Sequence, residues 1–99
     1  MSTFEELRAI VDALDKRFPE GNGIFQRVSR LAEETGELAM AINHREGMGV
    51  KHEKHGEPHN EHLLKEIEDV MRAAIGIAKH YGLEKELEES IHQSFLKNS

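Results

Sequence analysis

Hydrophobic side chains recur every three or four positions along most of the chain, which is the spacing of a helix with one apolar face. The pattern predicts four helices, at about 3–18, 24–43, 61–81 and from about 83 onward. No segment alternates apolar and polar residues as a strand would. The first turn of the first helix carries a capping box, formed by Ser2 with Glu5 or by Thr3 with Glu6. Gly82 is suited to end the third helix.

The apolar positions also predict which face of each helix is buried. The first and fourth helices bury Phe4, Leu7, Val11, Leu14, Phe18 and Leu87, Ile91, Phe95. The second buries Ile24, Val28, Leu31, Thr35, Leu38, Ala39 and Ile42. The third buries Leu64, Ile67, Met71, Ala74, Ala78 and Tyr81.

The connections between these helices differ in length. A short turn at 19–23 and the glycine at 82 make sequential helices antiparallel, so we expect an all-α four-helix bundle that forms a single domain over 1–99. The loop at about 44–62 is long and holds five of the seven histidines. We expect it to fold over a bound ligand as a lid or to be disordered, in preference to holding zinc, nickel or copper.

Composition excludes several classes of protein. There is no cysteine, so disulfide scaffolds, thiolate zinc sites and cysteine nucleophiles are excluded, and a reducing, cytoplasmic location is expected. The formal net charge of −6 disfavours nonspecific binding to nucleic acid or to anionic lipid. The apolar runs are too short to cross a membrane. A core of this size is modest, and we expect the bundle to be completed by a second subunit.

Acidic residues border the apolar stripes of the second and third helices. Glu34 and Glu37 lie three positions apart on one helix face, and Glu66 and Asp69 do the same on the other helix. Each pair alone is typical of a solvated surface, and Arg30 has the spacing to pair with Glu34. Two such pairs on adjacent helices would repel one another unless a cation lay between them. Mg²⁺ prefers carboxylate ligands of this kind, and Mn²⁺ is an alternative.

The stretches LAEETGELAMAI and LLKEIEDVMRAAIGIA resemble the MazG-like nucleoside triphosphate pyrophosphohydrolases, which are all-α proteins. The resemblance lies in an E-E-x-x-E motif followed by E-x-x-D, with 28 residues between the two halves. It implies an Mg²⁺-dependent enzyme that converts a nucleoside triphosphate to the monophosphate and pyrophosphate. It also implies a four-helix MazG-like bundle that forms a homodimer or a dimer of dimers.

The resemblance assigns roles to the motif residues. Glu34, Glu37, Glu66 and Asp69 match the metal ligands, and Glu33 matches an acid that binds a second metal or orients the attacking water. Glu33 and Glu34 are therefore the expected catalytic residues. Basic side chains should contact the phosphates, and the candidates are Lys51, Lys54, Arg27 and Arg30. The family's base-stacking tryptophan is absent; Phe18, Phe25, Tyr81 or His44 could replace it, although packing in the core is expected for the phenylalanines and the tyrosine.

Two other functions fit the same residues. A phosphoribosyl-ATP pyrophosphohydrolase would use the same fold and metal ligands. A helical interaction module that binds nucleotide or metal without turnover would also retain them. A di-iron carboxylate bundle is excluded, because the single Glu-x-x-His motif, Glu89 to His92, is far from the acidic pairs.

Overall fold

The computed structural model describes residues 1–47 and 59–99, and these residues form four α-helices and no strand. In chain order the helices are α1 (Thr3–Arg17), α2 (Ile24–Arg45), α3 (Asn60–His80) and α4 (Glu84–Lys97). The predicted all-α class and the four helices are confirmed, with ends shifted by one or two residues. No helix in this part of the chain is long and apolar enough to span a membrane.

The helix ends follow the local sequence signals. At the start of α1 the Ser2 hydroxyl accepts a hydrogen bond from the Glu5 amide at 3.1 Å, and the Glu5 carboxylate accepts one from the Ser2 amide. This is the predicted capping box, and it satisfies two amides that a helix start leaves unpaired. After α3 the chain reverses at Gly82, whose φ of 68° lies in the left-handed region. Glycine adopts that conformation without steric cost.

A small apolar core joins α1 to α3. Leu7 and Val11 of α1 pack with Ile75 of α3, and Phe4 and Leu87 cover this cluster at its edge. This cluster joins α1 to α3, and the partly buried Leu87 connects α4 to it. The contact positions α1 beside the α2–α3 pair, where the charged residues lie.

Helices α2 and α3 form an antiparallel pair. At one end Arg45 donates a hydrogen bond of 2.7 Å to Asn60, which joins the last turn of α2 to the first turn of α3. At the other end Arg27, in the first turn of α2, packs against Gly76 near the end of α3. The pair is therefore aligned along most of its length, and residues near the middle of each helix face each other.

The predicted buried faces of these two helices are wrong for the single chain. Leu64 and Tyr81 are 60% and 59% exposed, and Val28 and Ile42 are also exposed by about half. Other predicted core residues that are exposed are Phe18, Thr35, Ala39, Ile67, Met71, Ala74, Ile91 and Phe95. The periodicity identified the apolar stripes but did not determine which residues the packing of this chain buries.

The faces that do meet between α2 and α3 carry small and charged side chains. Ala41 and Ala73 are buried there, together with Gly76. Small side chains allow two helices to approach closely, so this face can pack despite its low hydrophobicity. As a result the acidic residues of both helices are brought into the interior of the pair.

Candidate metal centre

Three carboxylates from the two central helices converge on one point. Glu34 and Glu37 lie one turn apart on α2, and Glu66 lies opposite on α3. One oxygen from each of the three lies within 4.8 Å of the others. The i, i+3 spacing on α2 and the antiparallel pairing with α3 produce this convergence. The juxtaposition of acids from two helices agrees with the expectation from the motif.

Burial leaves part of this cluster without hydrogen-bond partners. Glu66 is only 5% exposed. The Oε2 atoms of Glu34 and Glu66 are buried, and neither has a hydrogen-bond partner among the described residues. The other oxygen of Glu66 lies 3.8 Å from Nε2 of His62. Buried carboxylate oxygens without donors are unfavourable, so the cluster is incomplete as it stands.

The electrostatic environment of Glu34 also disfavours its charged form. Burial raises the pKa of Glu34 above its ordinary value, and the negative charges of Glu37, Asp69 and Glu66 raise it further. Lys65 opposes this increase but does not cancel it. The carboxylate of Glu34 is thus less stable in its charged form than a solvated glutamate. A cation beside it would reverse that preference.

The donor set suits a hard divalent cation. All three converging ligand atoms are carboxylate oxygens, which Mg²⁺ and Mn²⁺ prefer over softer metals. Glu37 is exposed, so one side of the cluster is open to solvent and to any further ligand. The two unpartnered oxygens are the observation that fits a bound cation best. Glu34, Glu37 and Glu66 are therefore the residues that could hold one.

Asp69, the fourth expected metal ligand, has other partners. Its Oδ2 lies 2.8 Å from Nζ of Lys65, and its Oδ1 accepts a hydrogen bond from Arg72. Burial disfavours its charged form, but the hydrogen bond from Lys65 and the charge of Arg72 outweigh this and lower the pKa of Asp69. Asp69 is close enough to influence Glu34, and each of its oxygens has a cationic partner.

The sequence-based search for basic residues missed Lys65 and Arg72. The signal was available, because Lys65 and Asp69 have i, i+4 spacing and Asp69 and Arg72 have i, i+3 spacing on one helix. The predicted phosphate contacts lie in the loop and on α2, and none of them is on α3. Lys51 and Lys54 lie outside the described residues.

The two arginines expected to contact phosphate are placed differently. Arg27 is 6% exposed, and its guanidinium binds the Asp15 carboxylate at 2.7 Å and the Asn22 carbonyl at 3.0 Å. A phosphate contact would require Arg27 to leave Asp15. Arg30 is half-buried and donates a hydrogen bond of 2.8 Å to the carbonyl of Gly21. Arg27 and Arg30 both border the cavity that Glu34 also lines, but Arg27 is held there by Asp15.

That cavity lies between α1, α2 and α3 and measures about 220 Å³. Its charged lining includes Arg30, Glu34, Lys65, Asp69 and Arg72. Ligand pockets for whole small molecules usually occupy about 300–1,000 Å³. This cavity therefore suits part of a ligand, such as two or three phosphate groups, with the remainder of that ligand outside.

Glu33 is separate from the carboxylate cluster. It is exposed and borders a shallow groove on the outer side of α2, together with Phe25, Gln26 and Arg30. Phe25 is 85% exposed, so the expectation that it packs in the core is wrong for the single chain. Arg30 borders both this groove and the inner cavity, and it connects the two spaces.

A scan against models of protein families found no match, and searches of curated proteins and of solved structures found none either. The resemblance to MazG-like enzymes therefore rests on the two acidic motifs and their arrangement on paired helices.

Proposed function

We propose that the chain is a divalent-cation-dependent nucleoside triphosphate pyrophosphohydrolase of the MazG-like type. The observation that supports this most directly is the convergence of Glu34, Glu37 and Glu66, with two buried oxygens that lack partners among the described residues. Acids placed this way destabilise a bare protein. Their placement is explained if the protein binds Mg²⁺ or Mn²⁺.

The proposed reaction is hydrolysis between the first and second phosphates. Water adds to the α-phosphorus, and the bond from that phosphorus to the α–β bridging oxygen breaks. The products are a nucleoside monophosphate, pyrophosphate and a proton. Phosphoryl chemistry of this kind needs positioning and charge neutralisation more than covalent help from the protein.

The residues of the chain divide this work between them. Glu34, Glu37 and Glu66 would hold the cation, with Asp69 as the additional ligand that the motif implies. When bound, the cation supplies positive charge beside the phosphate chain. Arg30 borders the cavity and is the proposed phosphate contact on α2. For Glu33 the proposed role of orienting water rests on the motif alone, because this residue borders the outer groove and not the acidic cluster.

We also propose that the protein acts as a homodimer or a dimer of dimers. The support is the apolar surface that a single chain leaves exposed, including Val28 and Ile42 on α2 and Leu64 and Met71 on α3. Exposed stripes of this kind on a monomer are unusual and mark association surfaces. Sedimentation at micromolar concentration should give at least a dimer, and a stable monomer would contradict the proposal. A cytoplasmic location, where nucleoside triphosphates are made and used, belongs to the same proposal.

A panel of nucleoside triphosphates incubated with the protein and Mg²⁺ tests the activity. We expect pyrophosphate and a nucleoside monophosphate in equal amounts, and no reaction with chelator. Glu66→Gln should lower the rate by at least about 100-fold, because changing a residue that only supports a metal ligand already costs about 10–100-fold. Glu68→Gln, an exposed position on the same helix, is the matched control and should keep the wild-type rate.

The products separate the alternatives. Orthophosphate in place of pyrophosphate would indicate a different phosphohydrolase. Turnover of phosphoribosyl-ATP alone would indicate the related enzyme with that substrate. Binding of nucleotide without any product would indicate a module that has no catalytic activity.

A further inference from the structure

Two cations on α3 hold the carboxylate that the motif assigns to the metal. Lys65 and Arg72 approach Asp69 from one turn before and one turn after it, and each takes a different oxygen. Asp69 itself is 8% exposed, whereas the side chains of Lys65 and Arg72 are 65% and 29% exposed. A buried acid is thus paired with two cations that reach toward solvent.

The same two cations border the cavity beside the metal centre. Lys65, Arg72 and Arg30 lie around it with Glu34, whose carboxylate belongs to the acidic cluster. A phosphate chain that occupied this cavity would be within reach of three cationic side chains. Guanidinium and ammonium groups are the side chains that bind phosphate most strongly.

We propose that Lys65 and Arg72 are phosphate-binding residues, and that Asp69 is the positioning residue that holds them while metal is absent. The proposal rests on the proposed function and deepens it. Each oxygen of Asp69 that pairs with Lys65 or Arg72 keeps a lone pair for a cation, but a divalent cation there would draw on the same carboxylate charge. A divalent cation at Asp69 would therefore weaken the hold of this carboxylate on the two positive side chains.

With a divalent cation bound beside them, Lys65 and Arg72 would need an anion as a new partner. Without one, Lys65 and Arg72 would repel the divalent ion at short range. A phosphate chain in the cavity removes this repulsion, so cation and phosphate should each strengthen binding of the other. Such coupling between two ligands is reciprocal and usually amounts to about 5–150-fold in affinity. The i, i+4 pair of Lys65 with Asp69 would contribute little if it served stability alone, because Lys65 is largely exposed.

Calorimetric binding of a nucleotide with an imido group between the α- and β-phosphates tests this, because the analogue is not cleaved there. In Mg²⁺ we expect wild type to bind it at least 5-fold more tightly than in chelator. Lys65→Met with Arg72→Met should weaken binding in Mg²⁺ by at least 10-fold, while Mg²⁺ alone binds as in wild type or more tightly. Lys85→Met, an exposed position on α4, is the control for loss of positive charge.

Asp69→Asn should strengthen binding of the analogue, whereas the double variant weakens it. With the acid neutralised, Lys65 and Arg72 are free in the absence of metal, so the analogue should bind more tightly in chelator than it does to wild type. Glu68→Gln removes an equal charge from the next position and should not reproduce the effect.

The possible outcomes are distinguishable. If wild type binds the analogue and the double variant binds it equally well, this inference is overturned and the proposed function stands. This inference is also overturned, and the proposed function stands, if wild type binds the analogue no more tightly in Mg²⁺ than in chelator. If wild type does not bind the analogue under any condition, the proposed function fails and this inference fails with it. Melting curves of each variant identify loss of folding.

Discussion

Two groups of charged residues lie at different positions along the α2–α3 pair. In one group acids are paired with cations, and in the other acids face acids. Near one end of the α2–α3 pair, Arg27 and Lys79 both bind the Asp15 carboxylate, at 2.7 and 2.8 Å. In the middle of the pair, Glu34, Glu37 and Glu66 face each other, and no cation among residues 1–47 and 59–99 forms an ion pair with Glu34 or Glu37 that is equivalent to those of Asp15. We call these the paired cluster (Asp12, Asp15, Arg27, Lys79) and the acidic cluster (Glu34, Glu37, Glu66).

The pKa shifts of Asp15 and Glu34 differ in direction. Burial disfavours the charged form of Asp15, but the hydrogen bonds from Lys79 and Arg27 outweigh it and lower the pKa of Asp15. Burial also disfavours the charged form of Glu34, and there the neighbouring acids add to the effect, so the pKa of Glu34 rises. At similar burial, the neighbouring side chains therefore stabilise the charge of Asp15 and destabilise the charge of Glu34. We therefore propose that the paired cluster supports the fold and that the acidic cluster binds a cation.

The largest expected effect comes from breaking the paired cluster. Asp15→Ala leaves Arg27 buried without its carboxylate, and loss of one partner of a buried pair costs about 3–5 kcal/mol. Urea unfolding measures the change. Asp12→Ala is the control, since Asp12 also binds Lys79 but its side chain is 53% exposed; it should cost less than about 1 kcal/mol. Equal losses for the two variants would show that Arg27 does not depend on Asp15.

A second change crowds the paired cluster. A Cβ atom at Gly76 would lie 2.7 Å from Nη1 of Arg27, so Gly76→Ala must displace a buried guanidinium. We expect a loss of about 1–3 kcal/mol, as for other overpacked interiors. Gly36→Ala is the matched control, because no atom lies within 4 Å of its Cβ position and alanine favours the helix. That control should gain up to about 1 kcal/mol. A neutral Gly76→Ala would mean that Arg27 moves without cost.

Removing charge from the acidic cluster should have the reverse effect on stability. Glu34→Gln keeps the shape of the side chain and relieves its repulsion from the neighbouring acids. In metal-free buffer at pH 7 we expect a gain of about 0.5–2 kcal/mol, typical of favourable charge changes. Glu33→Gln, at the adjacent exposed position, should change stability much less. A destabilised Glu34→Gln would contradict the description of this cluster as unfavourable without a ligand.

The pH dependence of that gain provides a finer test. The pKa of Glu34 is raised in the folded chain, so the unfolded chain loses this proton first as pH rises. Wild type should therefore lose stability relative to Glu34→Gln from the ordinary glutamate pKa of about 4.3 up to the folded value. Below this window the two proteins should differ little. If the stability advantage of Glu34→Gln over wild type shrank as pH rises, the pKa of Glu34 would not be raised in the folded chain.

The sequence predicted the positions of the helices more accurately than it predicted which face of each helix is buried. Period, capping residues and the Gly82 turn are local signals, and they defined all four helices in the described part of the chain. The buried faces depended on which neighbour each stripe meets, and that is decided by tertiary packing. Leu64 and Ile67 form a clear apolar stripe, yet α3 presents Glu66 and Ala73 to α2.

The candidate site shows the same division. Helical spacing and the pairing of two motifs were enough to predict that Glu34, Glu37 and Glu66 meet. The pairing of Asp69 with Lys65 and Arg72 was not predicted. Helical spacing alone does not decide whether these basic side chains bind the acid or a ligand. Arg27 was expected to be a phosphate contact, since nothing in its local sequence indicates that Asp15 lies opposite on α1.

Binding of Mn²⁺ to the metal-free protein tests the central claim most directly. Calorimetry should show saturable binding to wild type and to Glu68→Gln, with a rise in the melting temperature of both. Glu66→Gln should bind at least about 10-fold more weakly, with a smaller rise. Equal binding by all three proteins, or none by wild type, would show that these carboxylates meet for a reason other than a divalent cation.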